Sequence, residues 1–96
     1  MKEFLKNLNK AFENKIRLGI MASLLANDHM DFNALKDILG VTDGNLASHL
    51  KTLENKNYIT VKKEFLGRKP NTKYFATTAG KKAFVNHIDA IEKLID

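Results

Sequence analysis

The 96-residue chain contains no cysteine, no tryptophan and a single proline. Without cysteine there is no disulfide framework, no thiolate metal ligand and no cysteine nucleophile, and the composition fits a reducing, cytoplasmic setting. No uninterrupted apolar run exceeds three residues, as in Ile20-Met21-Ala22, so neither a membrane span nor a signal-peptide core is expected. Internal repeats, low-complexity tracts and linkers are also missing, and a chain this short is expected to form one domain over residues 1–96. The usual catalytic signatures are absent as well: there is no glycine-rich phosphate loop, no nucleophile elbow and no His-Glu-x-x-His. His29, His49 and His87 fall in three separate elements. His87, Asp89 and Glu92 point in different directions on a helix, so one subunit could not gather them around a metal. No enzyme activity, cofactor or metal is expected.

Charge of one sign is concentrated rather than scarce. The net charge is +5, but residues 51–82 hold nine basic residues against Glu54 and Glu64 and carry +7, while the remainder carries −2. Such asymmetry sets up a local positive field that favours a polyanion. A solvated lysine-rich face is the plainer explanation of charge taken alone, so the organisation of the chain has to decide.

Phe4, Leu5, Leu8 and Phe12 recur at helical spacing and predict a first helix over about residues 2–13. Asn14 can cap a second, 15–26, whose apolar residues surround most of its circumference, as befits a central helix. Asp31 can cap a third, 32–39, which Gly40 ends. Thr42 can cap a fourth, 43–56, and the short Gly40-Val41-Thr42 connection makes the pair a helix-turn-helix pattern. After Asn57 the periodicity becomes extended. A strand from Tyr58 to about Phe65, a loop around Gly67-Arg68-Lys69-Pro70-Asn71 and a returning strand Thr72–Thr77 read as a hairpin with a basic tip. Thr78 can cap a last helix, 79–95. The fold class is mainly α with a small β-hairpin: a winged helix-turn-helix with added terminal helices.

Thr42-Asp43-Gly44-Asn45-Leu46 with His49-Leu50 and Leu53-Glu54 is the most specific stretch. Together with Arg17-Leu18-Gly19-Ile20-Met21 before it and Gly67-Arg68-Lys69-Pro70 with Thr72 after it, it resembles the small microbial winged-helix transcriptional regulators of the MarR and ArsR types. The likeness runs from about residue 15 to 88 and implies a homodimer that binds double-stranded DNA. Asn57 departs from the glycine common after the reading helix, but asparagine tolerates the left-handed conformation nearly as well.

On the fourth helix Leu46, Leu50 and Leu53 face the core. The candidate DNA-reading residues are Thr42, Gly44, Asn45, Ser48, His49, Lys51 and Thr52, since helices of this motif enter the major groove N-terminal end first. Asn45 suits an adenine edge, and Lys51 suits a guanine or a phosphate. Asp43 repels phosphate but favours the first helical turn, and is assigned to helix stability. On the wing, Lys62, Lys63, Arg68, Lys69 and Lys73 are expected on phosphates, with Arg68 able to enter a minor groove. The terminal helices offer Phe4, Leu5, Leu8, Phe12, Phe84, His87, Ile88, Ile91 and Ile95 as a twofold dimer interface.

The leading functional expectation is a sequence-specific transcriptional regulator, a dimeric repressor that acts by occluding a promoter. An interaction module whose basic hairpin binds an acidic protein is the alternative. A small-molecule effector acting in a crevice between the terminal helices and the reading module is compatible with the pattern, which does not identify it.

Overall fold

Asparagine, aspartate and threonine side chains start nearly every helix. In the computed structural model, which describes residues 2–96 with the side chains of Lys2 and Phe4 excepted, helix α1 (Lys2–Asn7) is followed by a 3-10 helix (Lys10–Phe12). The rest is α2 (Lys15–Ala26), strand β1 (Met30–Asp31), α3 (Phe32–Leu39), α4 (Asp43–Asn55), β2 (Ile59–Leu66), β3 (Lys69–Ala76) and α5 (Thr78–Ile95). Asn14 accepts from the Ile16 and Arg17 amides, Asp31 from Ala34, and Thr42 from Asn45, each supplying an acceptor for otherwise unpaired first-turn donors. The fold is mainly α with a three-stranded antiparallel sheet in the order β1-β3-β2, the winged-helix arrangement.

Several boundaries differ from the sequence reading. The expected helix 2–13 is broken, because Asn9 leaves the helical path to cap the 3-10 turn through its side chain, which accepts from the Ala11 amide. Thr77 rather than Thr78 caps α5, accepting from the Gly80 amide. The hairpin is longer than expected: Lys69 pairs with Leu66 and Pro70 with Phe65, leaving only Gly67-Arg68 as the turn. Positive φ falls on Gly67 and not on Arg68, as a II′ hairpin turn requires. Strand β1 was not anticipated; two residues carry no periodicity, and Met30 and Asp31 become a strand only by pairing with Tyr74 and Lys73.

The core is built from Ile20, Met21 and Leu24 of α2, Leu35 of α3, Leu46, Leu50 and Leu53 of α4 and Ile59 of β2. Phe12 joins it from the N-terminal segment, stacking on Tyr58 at 5.5 Å and meeting Phe84 edge-on at 5.3 Å. Asn57 adopts φ 61° at the end of α4. The Tyr58 amide then donates to Leu53 and the Asn57 amide to Glu54, a Schellman closure that turns the chain into β2. No helix among the described residues is long and apolar enough to cross a membrane.

Candidate nucleic-acid interface

The N-terminal half of α4 is the open part of the helix. Gly44, Asn45, Ala47 and Ser48 are exposed on it while Leu46 is fully buried, as the helical period dictates. Thr42 sits at the cap, with its oxygen accepting from the Asn45 amide at 3.2 Å. Asp43 pairs with Lys36 of α3 at 2.8 Å, and that hydrogen bond holds the Lys36 ammonium above its ordinary pKa. The one carboxylate at the reading end is therefore matched by a cation of the supporting helix. Lys51 is exposed and reaches Glu54 at 3.4 Å, an exposed pair that competes weakly with a phosphate. The Thr52 hydroxyl donates to the Ser48 carbonyl, so its proton is occupied within the helix.

His49 does not join this face. It is half-buried, and its Nδ1 lies 3.0 Å from Nη1 of Arg17 in α2. Arginine is always a donor, so Nδ1 accepts and the ring is neutral with its proton on Nε2. Burial and the Arg17 charge both push the His49 pKa down. Arg17 also donates through Nε to the Ala11 carbonyl at 2.7 Å. Histidine at this position thus positions α4 against α2 and the N-terminal segment. The sequence offered no sign of it, because Arg17 and His49 are distant along the chain.

The hairpin stands beside α4. A groove is lined by Ala47, Leu50, Lys51 and Glu54 of α4 and by Val61, Lys63 and Tyr74 of the hairpin, so one face of the ribbon turns toward the reading helix. Lys62, Lys63, Arg68 and Lys69 are exposed and form no ion pair among the described residues. Lys73 differs from the other wing cations: it is half-buried and held by Glu64 at 2.8 Å, and this bond lowers the Glu64 pKa. Lys73 is consequently a structural cation of the ribbon, with Lys62 directly across from it. Phe65, 71% exposed, was missed as a surface feature because only the reach of the hairpin beyond the body leaves it uncovered.

The residues expected at a dimer seam divide. Phe12, Phe84 and His87 are 2%, 7% and 3% exposed and belong to the chain's own core. The Asn9 amide donates to His87 Nδ1 at 2.9 Å, and burial lowers the His87 pKa. Leu5, Ile91 and Ile95 are exposed, Leu8 and Ile88 half-buried. The side chain of Phe4 lies outside the described residues. A groove of about 680 Å³ runs between the N-terminal segment and α5, lined by Lys6, Asn7, Asn9, Lys10, Asn86 and Lys93 among others.

A short α3, a glycine turn, a buried-and-exposed α4 and a basic ribbon beside it match the family model described as winged helix DNA-binding domain over residues 16–95. The chain belongs to the winged helix DNA-binding domain family. A transcriptional regulator homologue from Pyrococcus horikoshii superposes with a TM-score of 0.88 at 30% identity, covering 99% of this chain and 92% of that one. A protein described as a MarR-family transcriptional regulator from Porphyromonas gingivalis gives a TM-score of 0.70 at 29% identity, covering 88% and 81%. An uncharacterised protein of Methanocaldococcus jannaschii is 38% identical over 85 residues, covering 88% of this chain and 92% of that protein. These structural neighbours are described as transcriptional regulators, not as enzymes.

Proposed function

We propose that this winged-helix protein is a sequence-specific regulator that binds duplex DNA in the cytoplasm as a homodimer and represses by occupying a promoter. The observation that carries this reading is the placement of four cations that form no ion pair among the described residues, Lys62, Lys63, Arg68 and Lys69, on a ribbon set beside the exposed N-terminal half of α4. Asn45 and Ser48, with Lys51 behind them, read base edges in the major groove. Thr42, Gly44 and the free N-terminal amides approach a phosphate, and the ribbon holds the flanking backbone.

The apolar overhang of α5 supports the dimer. The helix is 18 residues long, about 27 Å, and it is buried against the rest of the chain at Gly80, Phe84, His87 and Ala90. Ile91 and Ile95 lie past these positions and are exposed, with Leu5 of α1 exposed as well. Pairing two copies through these residues would cover them and set two reading helices on half-sites about one turn of DNA apart. A small polar ligand seated between the N-terminal segment and α5 would alter that spacing.

The test is fluorescence anisotropy against duplex from upstream of the protein's own gene, with a scrambled competitor, at two salt concentrations. The wild-type protein should bind tightly, weaken steeply with salt and prefer its site roughly 10³-fold or more. Arg68→Ala should weaken binding to all duplexes alike, whereas Asn45→Ala or Ser48→Ala should erode preference for one sequence by about 1–3 kcal/mol. Absence of binding to any duplex at low salt would overturn the reading.

A further inference from the structure

The outer half of the hairpin carries an apolar surface that neither the core nor the cationic positions account for. Strand β1 pairs only with Tyr74 and Lys73 of β3, so beyond that point the sheet narrows to a two-stranded ribbon. Side chains alternate between its faces. One face bears Val61, Lys63 and Phe65, opposite Tyr74, Thr72 and Pro70. Val61, Lys63 and Tyr74 line the groove against α4, so this is the face turned to the reading helix. Phe65 and Pro70 continue it about 7 Å further out. Phe65 is 71% exposed there, and Leu66, on the opposite face across from Lys69, is 60% exposed. Leaving a phenylalanine in water forgoes its burial, and an exposed apolar ribbon end invites aggregation.

We propose that Phe65, backed by Pro70, is an apolar wedge that enters the minor groove beside the half-site read by α4 and selects a readily unstacked base step there. This rests on the DNA-binding reading above. Charge complementarity identifies the occupant: Lys63, Arg68 and Lys69 surround the tip, and Glu64, the carboxylate in the outer ribbon, is held by Lys73. An apolar or acidic protein surface would leave either the cations or the ring unmatched. The minor groove offers both a phosphate-lined rim and an apolar floor between bases. Wedges of phenylalanine, leucine or proline that part a base step there kink the duplex. Pyrimidine–purine steps unstack most easily, so the wedge supplies preference at positions to which no side chain of α4 donates a hydrogen bond.

Selection from a randomised duplex library, run in parallel on the wild-type protein and on Phe65→Ala and Phe65→Leu, tests this. Wild type should enrich TA or CA/TG steps at a fixed distance outside the bases read by α4. Phe65→Ala should enrich the same inner bases, lose the flanking preference and bind the wild-type consensus roughly tenfold more weakly, with Phe65→Leu between the two. Because Phe65 is exposed, the melting temperature should not fall in either variant, which separates loss of the wedge from loss of the fold. Identical flanks and affinity for Phe65→Ala would overturn the wedge while leaving DNA reading intact. A lower oligomer mass for Phe65→Ala in light scattering would overturn it in favour of a contact between copies. No enrichment by the wild-type protein would overturn the wedge and the DNA reading together.

Discussion

Gly80 sits where α5 crosses the backbone of Tyr58. A Cβ built on it would fall 2.0 Å from the Tyr58 carbonyl oxygen, a backbone atom that cannot swing aside. Two further contacts hold the same crossing: the Thr77 amide donates to the Tyr58 carbonyl at 3.0 Å and its hydroxyl to the Asn57 carbonyl at 2.8 Å. Gly80→Ala gains helix propensity of about 1 kcal/mol but forces the helix off its seat. The overpacking should win, with net destabilisation of about 2 kcal/mol or more in urea titrations. Neutrality or stabilisation would mean that α5 slides freely on Tyr58. Asn57 at φ 61° is the companion residue in this corner. Its short polar side chain tolerates the left-handed region, as the likeness to the regulator pattern implied.

At the scale of elements, the segment between α1 and α2 fastens the two halves of the molecule. Asn9 donates its amide to His87 of α5 and its side-chain nitrogen to the Tyr58 hydroxyl at 3.0 Å, while Arg17 joins the Ala11 carbonyl to His49 of α4. Both histidines accept through Nδ1 and must be neutral to do so. Burial lowers both pKa values, with Arg17 adding to the effect at His49 and Glu13 opposing it at His87. The sign follows: the unfolded chain takes up protons first, so this contribution to stability is complete above the ordinary histidine value of 6.5 and declines as pH falls below it toward the depressed folded-state values. Thermal melts between pH 7.5 and 5.5, above the usual range of the carboxylates, should therefore show a falling midpoint, and His87→Gln should flatten the curve. A wild-type midpoint that is level across this range would show that the two bonds contribute nothing.

As a whole the molecule is elongated, 53 Å in its longest dimension against 25 and 21 Å in the others, and the end of α5 is exposed. Ile95 is 79% exposed and Leu5 55% exposed, and together with Ile91 they leave an apolar surface that a twofold partner would remove from water. Ile91→Glu with Ile95→Glu should give a folded monomer by light scattering and weaken operator binding through loss of the second half-site. Phe84→Glu is a different experiment: it places a carboxylate in the chain's own core and should unfold the protomer. A surviving dimer in the double variant would move the interface elsewhere.

The caps Asn14, Asp31 and Thr42, the helix-turn-helix spacing and the basic ribbon were legible in the sequence, because caps, glycine turns and side-chain periods act over a few residues; the break at Asn9 and the cap at Thr77 were not. The same short range explains which face of α4 is polar and why Leu46, Leu50 and Leu53 point inward. Tertiary structure alone decided matters that depend on partners remote in sequence. It assigned Phe12, Phe84 and His87 to the core, turned His49 to Arg17 and matched Lys73 with Glu64. It made a strand of Met30-Asp31 and carried Phe65 beyond the reach of any covering element. A stripe of apolar residues records that something must cover it; whether the cover is the chain's own core, a second copy or DNA is set by where the other elements stop.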